Sequence, residues 1–150
     1  MAIPYPGRSR GKDRANLDEL EYINPYQFFL FYFDFNDFVT KPIFILPKDA
    51  MLWSDQINII EKFNGTLPEL NVGIKDNHVA VGSVPVHVVG PHNLDVRNTT
   101  VYFNILTRDT EIYKGITHQS GGTQSTQGSG WCVLHYLLGA GLALKDRLLR

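Results

Sequence analysis

Residues 28–33 read Phe-Phe-Leu-Phe-Tyr-Phe, the centre of an aromatic stretch that runs from Gln27 to Phe38. Consecutive large apolar side chains leave no polar face at either a helical or a strand period, so the run predicts a strand covered on both sides. Asp34, Asn36 and Asp37 supply turn chemistry after it, and Ile43-Phe44-Ile45-Leu46, set between Pro42 and Pro47, predicts a second buried strand. Together the two predict one hairpin.

Outward from this pair the pattern changes. Over residues 49–64 Asp49 is placed to cap a helix, Trp53, Ile57, Ile60 and Phe63 share one helical face, and Gly65 offers a left-handed stop. A last helix is predicted over residues 131–149, with Leu134, Leu138, Leu142 and Leu149 along a stripe and Gly139, Ala140 and Ala143 beside it. Between them lie short segments rich in Val and Ile: 70–75, 78–81, 84–89, 100–107 and 110–116, separated by turn residues at hairpin distances. Residues 117–130 are Gly, Ser, Thr and Gln almost throughout, the composition of a long flexible loop. The fold class expected is therefore α+β, an antiparallel sheet or meander packed against two main helices.

At 150 residues one core is the default. Residues 1–15 mix proline, glycine and positive charge with little to bury, and Asn24-Pro25 breaks the short turn that follows, so residues 1–24 form an extended N-terminal arm and residues 25–150 the single domain. Arg8, Arg10, Lys12 and Arg14 are the binding residues of that arm, but Asp13, Asp18, Glu19 and Glu21 nearly cancel them. Over the whole chain 14 Lys and Arg balance 15 Asp and Glu, which argues against nucleic acid as a partner. The most apolar helix-like stretch, Trp131 to Leu144, is interrupted by His135, Gly139 and Gly141 and is shorter than the ~20 residues of a membrane span, so no membrane partner is expected. A lone cysteine, with no basic and then apolar leader, suggests intracellular, cytoplasmic synthesis.

Three constellations could carry chemistry. Cys132 follows Gly128-Ser129-Gly130 at the predicted start of a helix, where free amides lower a thiol pKa. The segment Gly-Ser-Gly-Trp-Cys-Val-Leu-His resembles the nucleophile region of papain-like cysteine peptidases over about six residues. The resemblance implies a nucleophilic Cys132 and a base histidine, which in a permuted order comes from His78, His87, His92 or His118, with Asn93 or Asp95 as orienting group. The bland alternative is a small side chain packed in a core, where free cysteine is most often found.

A two-residue turn at Gly82-Ser83 would set His78 opposite His87, and His92 could join them in an open metal site. Their spacing fits no standard ligand motif, and paired histidines in a hairpin are usually a surface feature. The glycines of 121–130 precede a helix as phosphate loops do, but lack the Gly-Lys-Ser/Thr ending and the Gly-x-Gly-x-x-Gly spacing, so no cofactor is implied.

An arm that cannot bury itself on its own domain gains contacts by lying across another subunit. The leading expectation is a non-enzymatic structural or assembly subunit of a repetitive complex such as a virus particle. It would form a homo-oligomer or larger protein assembly, with the arm and the 117–130 loop reaching neighbouring copies. A small cysteine hydrolase with Cys132 as nucleophile and His118 or His87 as base is the alternative.

Overall fold

The aromatic run is a strand, and its partner is the last strand of the chain. In the computed structural model, which describes residues 25–95 and 101–139, β1 (Tyr26–Asp34) pairs antiparallel along its whole length with β8 (Ser129–Leu137). Between them come β2 (Lys41–Leu46), β3 (Met51–Glu61), β4 (Glu69–Ile74), β5 (Asn77–Pro85), β6 (Gly90–His92) and β7 (Thr110–Thr117). One sheet has the order β1-β8-β3-β6 and the other β2-β7-β4-β5. All named strand pairs are antiparallel, and every connection except β4 to β5 crosses between sheets. This is the topology of the eight-stranded jelly roll.

The expected α+β class is overturned, since no helix occurs among the described residues. Residues 49–64 form β3 and its flanks, and residues 129–137 form β8, while residues 140–149 of the second expected helix lie outside the described residues. The physical reason in the first case is a pair of irregularities in the β3–β8 register, between Leu52 and Ser54 and between Ile59 and Glu61. Each shifts the period-2 phase. Leu52, Asp55, Ile57 and Ile59 thereby face the core, while Trp53 and Ile60 of the supposed helical stripe stand in solvent. Asp49, expected as a helix cap, sits in the left-handed region (φ 68°) of the turn before β3, a conformation that Asp tolerates better than most residues. In β8 the alternation is regular, with Cys132 and Leu134 buried and Trp131, Val133 and His135 on the other side. A strand paired on both edges presents this pattern, which a leucine count at helical spacing does not detect.

The single hairpin expected of residues 27–46 is also absent: β1 and β2 belong to opposite sheets. They still meet, because the inward ring of Phe29 stacks on Phe44 at 4.1 Å between centroids. Phe31 and Phe33 continue this inner row, and with Leu46, Leu52, Ile57, Leu70, Val72, Ile112, Ile116 and Leu134 they make one core shared by both sheets. Gly130 is required where β8 passes under Phe33, since a Cβ there would lie 2.6 Å from the Asn58 carbonyl oxygen and 2.7 Å from the ring.

Two carboxylates are buried among the described residues, Asp37 near the end of β1 and Asp55 on β3. Asp55 on β3 accepts hydrogen bonds from the Leu94 amide (2.9 Å), the Asn93 side chain and the Tyr102 hydroxyl, so it pins the segments before and after residues 96–100 to the middle of the sheet. Burial, followed by the hydrogen bond and charge of Asp55, pushes the Tyr102 phenol well above its usual range, which keeps it a donor. Replacing Asp55 by Ala strands two buried donors, each of which costs about 1–3 kcal/mol when left unmade. Urea denaturation of Asp55→Ala is therefore expected to show roughly 3 kcal/mol lost against the parent, and Tyr102→Phe a smaller loss; equal midpoints for Asp55→Ala and the parent would remove this carboxylate from the account of stability.

Candidate functional site

Strand alternation gives β1 two different faces. Its odd residues enter the core, and its even residues Tyr26, Phe28, Leu30 and Tyr32 project from the outer face of the sheet. Phe28 and Tyr32 are each 66% exposed and Leu30 is 41% exposed, so the strand expected to be covered on both sides is covered on one. Register places His135 opposite Phe28, Val133 opposite Leu30 and Trp131 opposite Tyr32 on the neighbouring β8. From β3, on the far side of β8, Trp53 reaches Tyr26 edge-on (6.4 Å between centroids) and His135 (5.8 Å). The product is a solvent-facing aromatic surface across three strands with no Asp, Glu, Lys or Arg among these residues. Apolar patches of this kind on soluble domains mark interaction surfaces.

A signal for it exists in the sequence. Phenylalanine occupies 29, 31 and 33, whereas both tyrosines of β1, 26 and 32, fall on the even positions, where a hydroxyl can stay in water.

One end of β1 is fastened by charge. The Lys114 ammonium on β7 donates to the Tyr32 carbonyl oxygen and to Asp37 Oδ2 (3.1 Å), and Lys41 bridges Asp37 Oδ1 at 2.9 Å. These contacts cross from one sheet to the other. Burial alone would raise the Asp37 carboxyl, but the Lys41 hydrogen bond, the Asp34 amide and Lys114 outweigh it and hold the group below its ordinary value of 3.8. The folded state therefore binds fewer protons here than the unfolded one. Stability from this group is present above the ordinary carboxylate pKa and is lost as pH falls through the depressed value.

The residues singled out for chemistry do not converge. Cys132 lies in the middle of β8, fully buried and paired with Phe31 and Ile57, with no helix start beside it. Burial, and after it the charge of Asp55, pushes its thiol up, away from the thiolate a nucleophile needs. No hydrogen bond joins it to a histidine among the described residues. His118 instead pairs with Ser125: its Nε2 lies 2.8 Å from the hydroxyl and accepts from the Ser125 amide at 3.1 Å. Burial lowers the His118 pKa, consistent with a neutral acceptor. The same serine hydroxyl accepts from the Gly65 amide, so the pair closes the base of the 117–130 loop.

That loop is tied down, with Asn64 bonded to Thr126 and Thr66 to Thr123, while its tip from Gln119 to Gln124 stays exposed. Flexible composition does not prevent a loop from finding partners.

The expected turn at Gly82-Ser83 lies inside β5, where these residues pair with Val72 and Asn71, and the reversal falls between Ile74 and Asn77. His78 and His87 are thus not opposite each other: His78 stacks near Tyr113 at one end of β5, and His87 lies beyond the other end. His92 belongs to the other sheet, on β6, with its Nε2 2.8 Å from the Val88 carbonyl. Among the described residues no group of three or more His, Cys, Asp or Glu side chains could hold a metal ion. Asn93 serves the Asp55 network, and Asp95 bridges the main chain of Ser83. Arg8, Arg10, Lys12 and Arg14 lie outside the described residues.

Two measurements check these assignments. A thiol probe at neutral pH should label Cys132 in the folded protein far more slowly than in the denatured one, and equal rates would return it to the list of reactive groups. The stability gap between the parent and Asp37→Asn should be largest at neutral pH and shrink on acidification below the carboxylate range; a gap independent of pH would show that the Asp37 charge contributes nothing.

No protein-family model matches the sequence, and no curated protein does. Among solved structures the chain is similar to one described as the cyanophage Pam1 capsid asymmetric unit, with a TM-score of 0.52 over 75% of this chain and 84% of that one. Sequence identity is 13%, so the likeness is one of fold.

Proposed function

We propose that this chain is a non-enzymatic structural subunit of a repetitive protein assembly, a virus particle being the foremost case. The observation that carries the proposal is the row of exposed apolar side chains on the outer face of the β1-β8-β3-β6 sheet, Tyr26, Phe28, Leu30 and Tyr32 with Trp53, which serves no core. Support also comes from the eight-stranded two-sheet topology and its likeness to a chain of a phage capsid. Two further segments reach neighbouring copies in this reading. The arm expected over residues 1–24 lies outside the described residues; the described chain begins at Pro25, whose carbonyl accepts from the Leu138 amide near its other end. The exposed tip of the 117–130 loop is the second.

The cysteine hydrolase alternative is set aside. Cys132 is inside the core, and no histidine among the described residues is hydrogen-bonded to it.

Deleting residues 1–15 is expected to leave the far-UV circular dichroism unchanged and to lower the mass measured by light scattering. The same mass for both proteins would deny the arm a part in assembly.

A further inference from the structure

Every open two-sheet fold leaves strand edges that can pair with another chain, and proteins blunt them with short strands, prolines, bulges, lysines or covering segments. Three of the four edges here carry such devices. β6 has three residues, one of them Pro91. β2 begins Lys41-Pro42, and its register shifts between Pro42 and Phe44. β5 ends at Pro85 and is covered at Ser83 by the main chain of Asp95. β1 differs along its centre: it has nine residues, an unbroken register with β8, no proline and no positive charge of its own, and Lys114 of β7 reaches it only at the Tyr32 end.

The direction of its peptide groups follows from two hydrogen bonds that continue the β1–β8 ladder at its ends. The Phe35 amide donates to the Gly128 carbonyl and the Leu138 amide to the Pro25 carbonyl, so odd-numbered residues aim their N–H and C=O at β8. Even-numbered residues aim theirs at the outer edge, where no strand among the described residues pairs with β1. Of these, Tyr32 already gives its carbonyl to Lys114, Asp34 gives both its amide and its carbonyl to Asp37, and Tyr26 stands at the strand's end. Phe28 and Leu30 remain, two alternate residues at the centre of the strand, with their side chains on the aromatic face.

Resting on the assembly reading above, we infer that β1 is a self-pairing edge: two copies of this chain join β1 to β1, antiparallel, about a two-fold axis at Phe29. In this register Phe28 faces Leu30 of the partner subunit and Leu30 faces Phe28 of the partner subunit, each pair exchanging both N–H···O=C bonds. The free peptide groups are thereby used as both donors and acceptors, and the Tyr32 carbonyl is left to Lys114.

The outward side chains repeat by class about the same axis. Tyr26 meets Tyr32 of the partner subunit, Phe28 meets Leu30, and no two like charges are opposed, so the contact is isologous and closes as a dimer. The two sheets become one eight-stranded sheet with a continuous aromatic outer face. A second copy is favoured over an unrelated extended peptide because the strand is complementary to itself in hydrogen bonding, side-chain class and charge at a single register.

Leu30→Pro tests this without removing a bond from the β1–β8 ladder, because the Leu30 N–H faces away from β8 and prolines are tolerated on strand edges in that orientation. The 150-residue chain is expected to sediment as a reversible dimer or an even-numbered multiple of it. The variant, with unchanged circular dichroism, should raise the dissociation constant roughly 10-fold or more, the factor that about 1.4 kcal/mol represents. A second measurement holds if that variant fails to fold: Phe28→Cys and Leu30→Cys proteins mixed under mild oxidation should form disulfide-linked dimers faster than either alone, since the axis sets 28 against 30.

Unchanged sedimentation of folded Leu30→Pro, or mixed cross-linking no faster than the separate reactions, overturns the β1 pairing. The arm deletion would still decide the assembly reading by itself. A 150-residue chain that stays monomeric up to high micromolar concentration overturns the inference as well.

Discussion

The structure depends on β8 being paired along both of its edges. It joins β1, the first described strand, to β3, and so binds the two ends of the described chain into one sheet through main-chain hydrogen bonds. Contacts between strands so distant in sequence form only when the intervening chain is in place, which makes the sheet a product of the whole fold. Its inward residues, Cys132 and Leu134, then have no choice of environment. They are core because the strand is central, and the chemistry a cysteine could perform elsewhere is closed to it.

Buried polar groups hold this arrangement in register. Asp55 gathers donors from residues 93, 94 and 102, and Asp37 with Lys114 fastens the end of β1 to the opposite sheet. Such groups are costly to bury unless satisfied, so each admits few alternative packings. The glycines of the last connection serve a related end: a Cβ at Gly128 would overlap the Phe63 ring, and its φ of 136° suits glycine. Where the composition of residues 117–130 suggests looseness, hydrogen bonds to residues 64–66 hold the stem and leave only the tip exposed.

Function follows from what the sandwich leaves uncovered. One row of β1 is required by the core, while the alternate row is as apolar without serving it. The proposed assembly role would give Phe28, Leu30 and Tyr32 a contact to make in place of water. Catalytic and metal-binding arrangements need side chains brought together from several elements. Here Cys132, His118, His78 and His92 are distributed over different strands, sheets and loops.

The sequence by itself determined strands at residues 28–33, 43–46, 70–75 and 110–116, which fall in or overlap β1, β2, β4 and β7, because β-branched and aromatic composition with flanking Pro and Gly is a local property; the same composition over 100–107 misled, since no named strand forms among its described residues. It also carried, unread, the tyrosine spacing that distinguishes the two faces of β1. Only the tertiary structure decided that residues 51–61 and 129–137 are strands, since bulges in β3 shift the period-2 pattern and a leucine-rich segment satisfies both periods. Which sheet each strand joins, which side of β1 meets water and which histidines become neighbours were likewise set by pairing between distant residues, an energy that no local window of sequence contains.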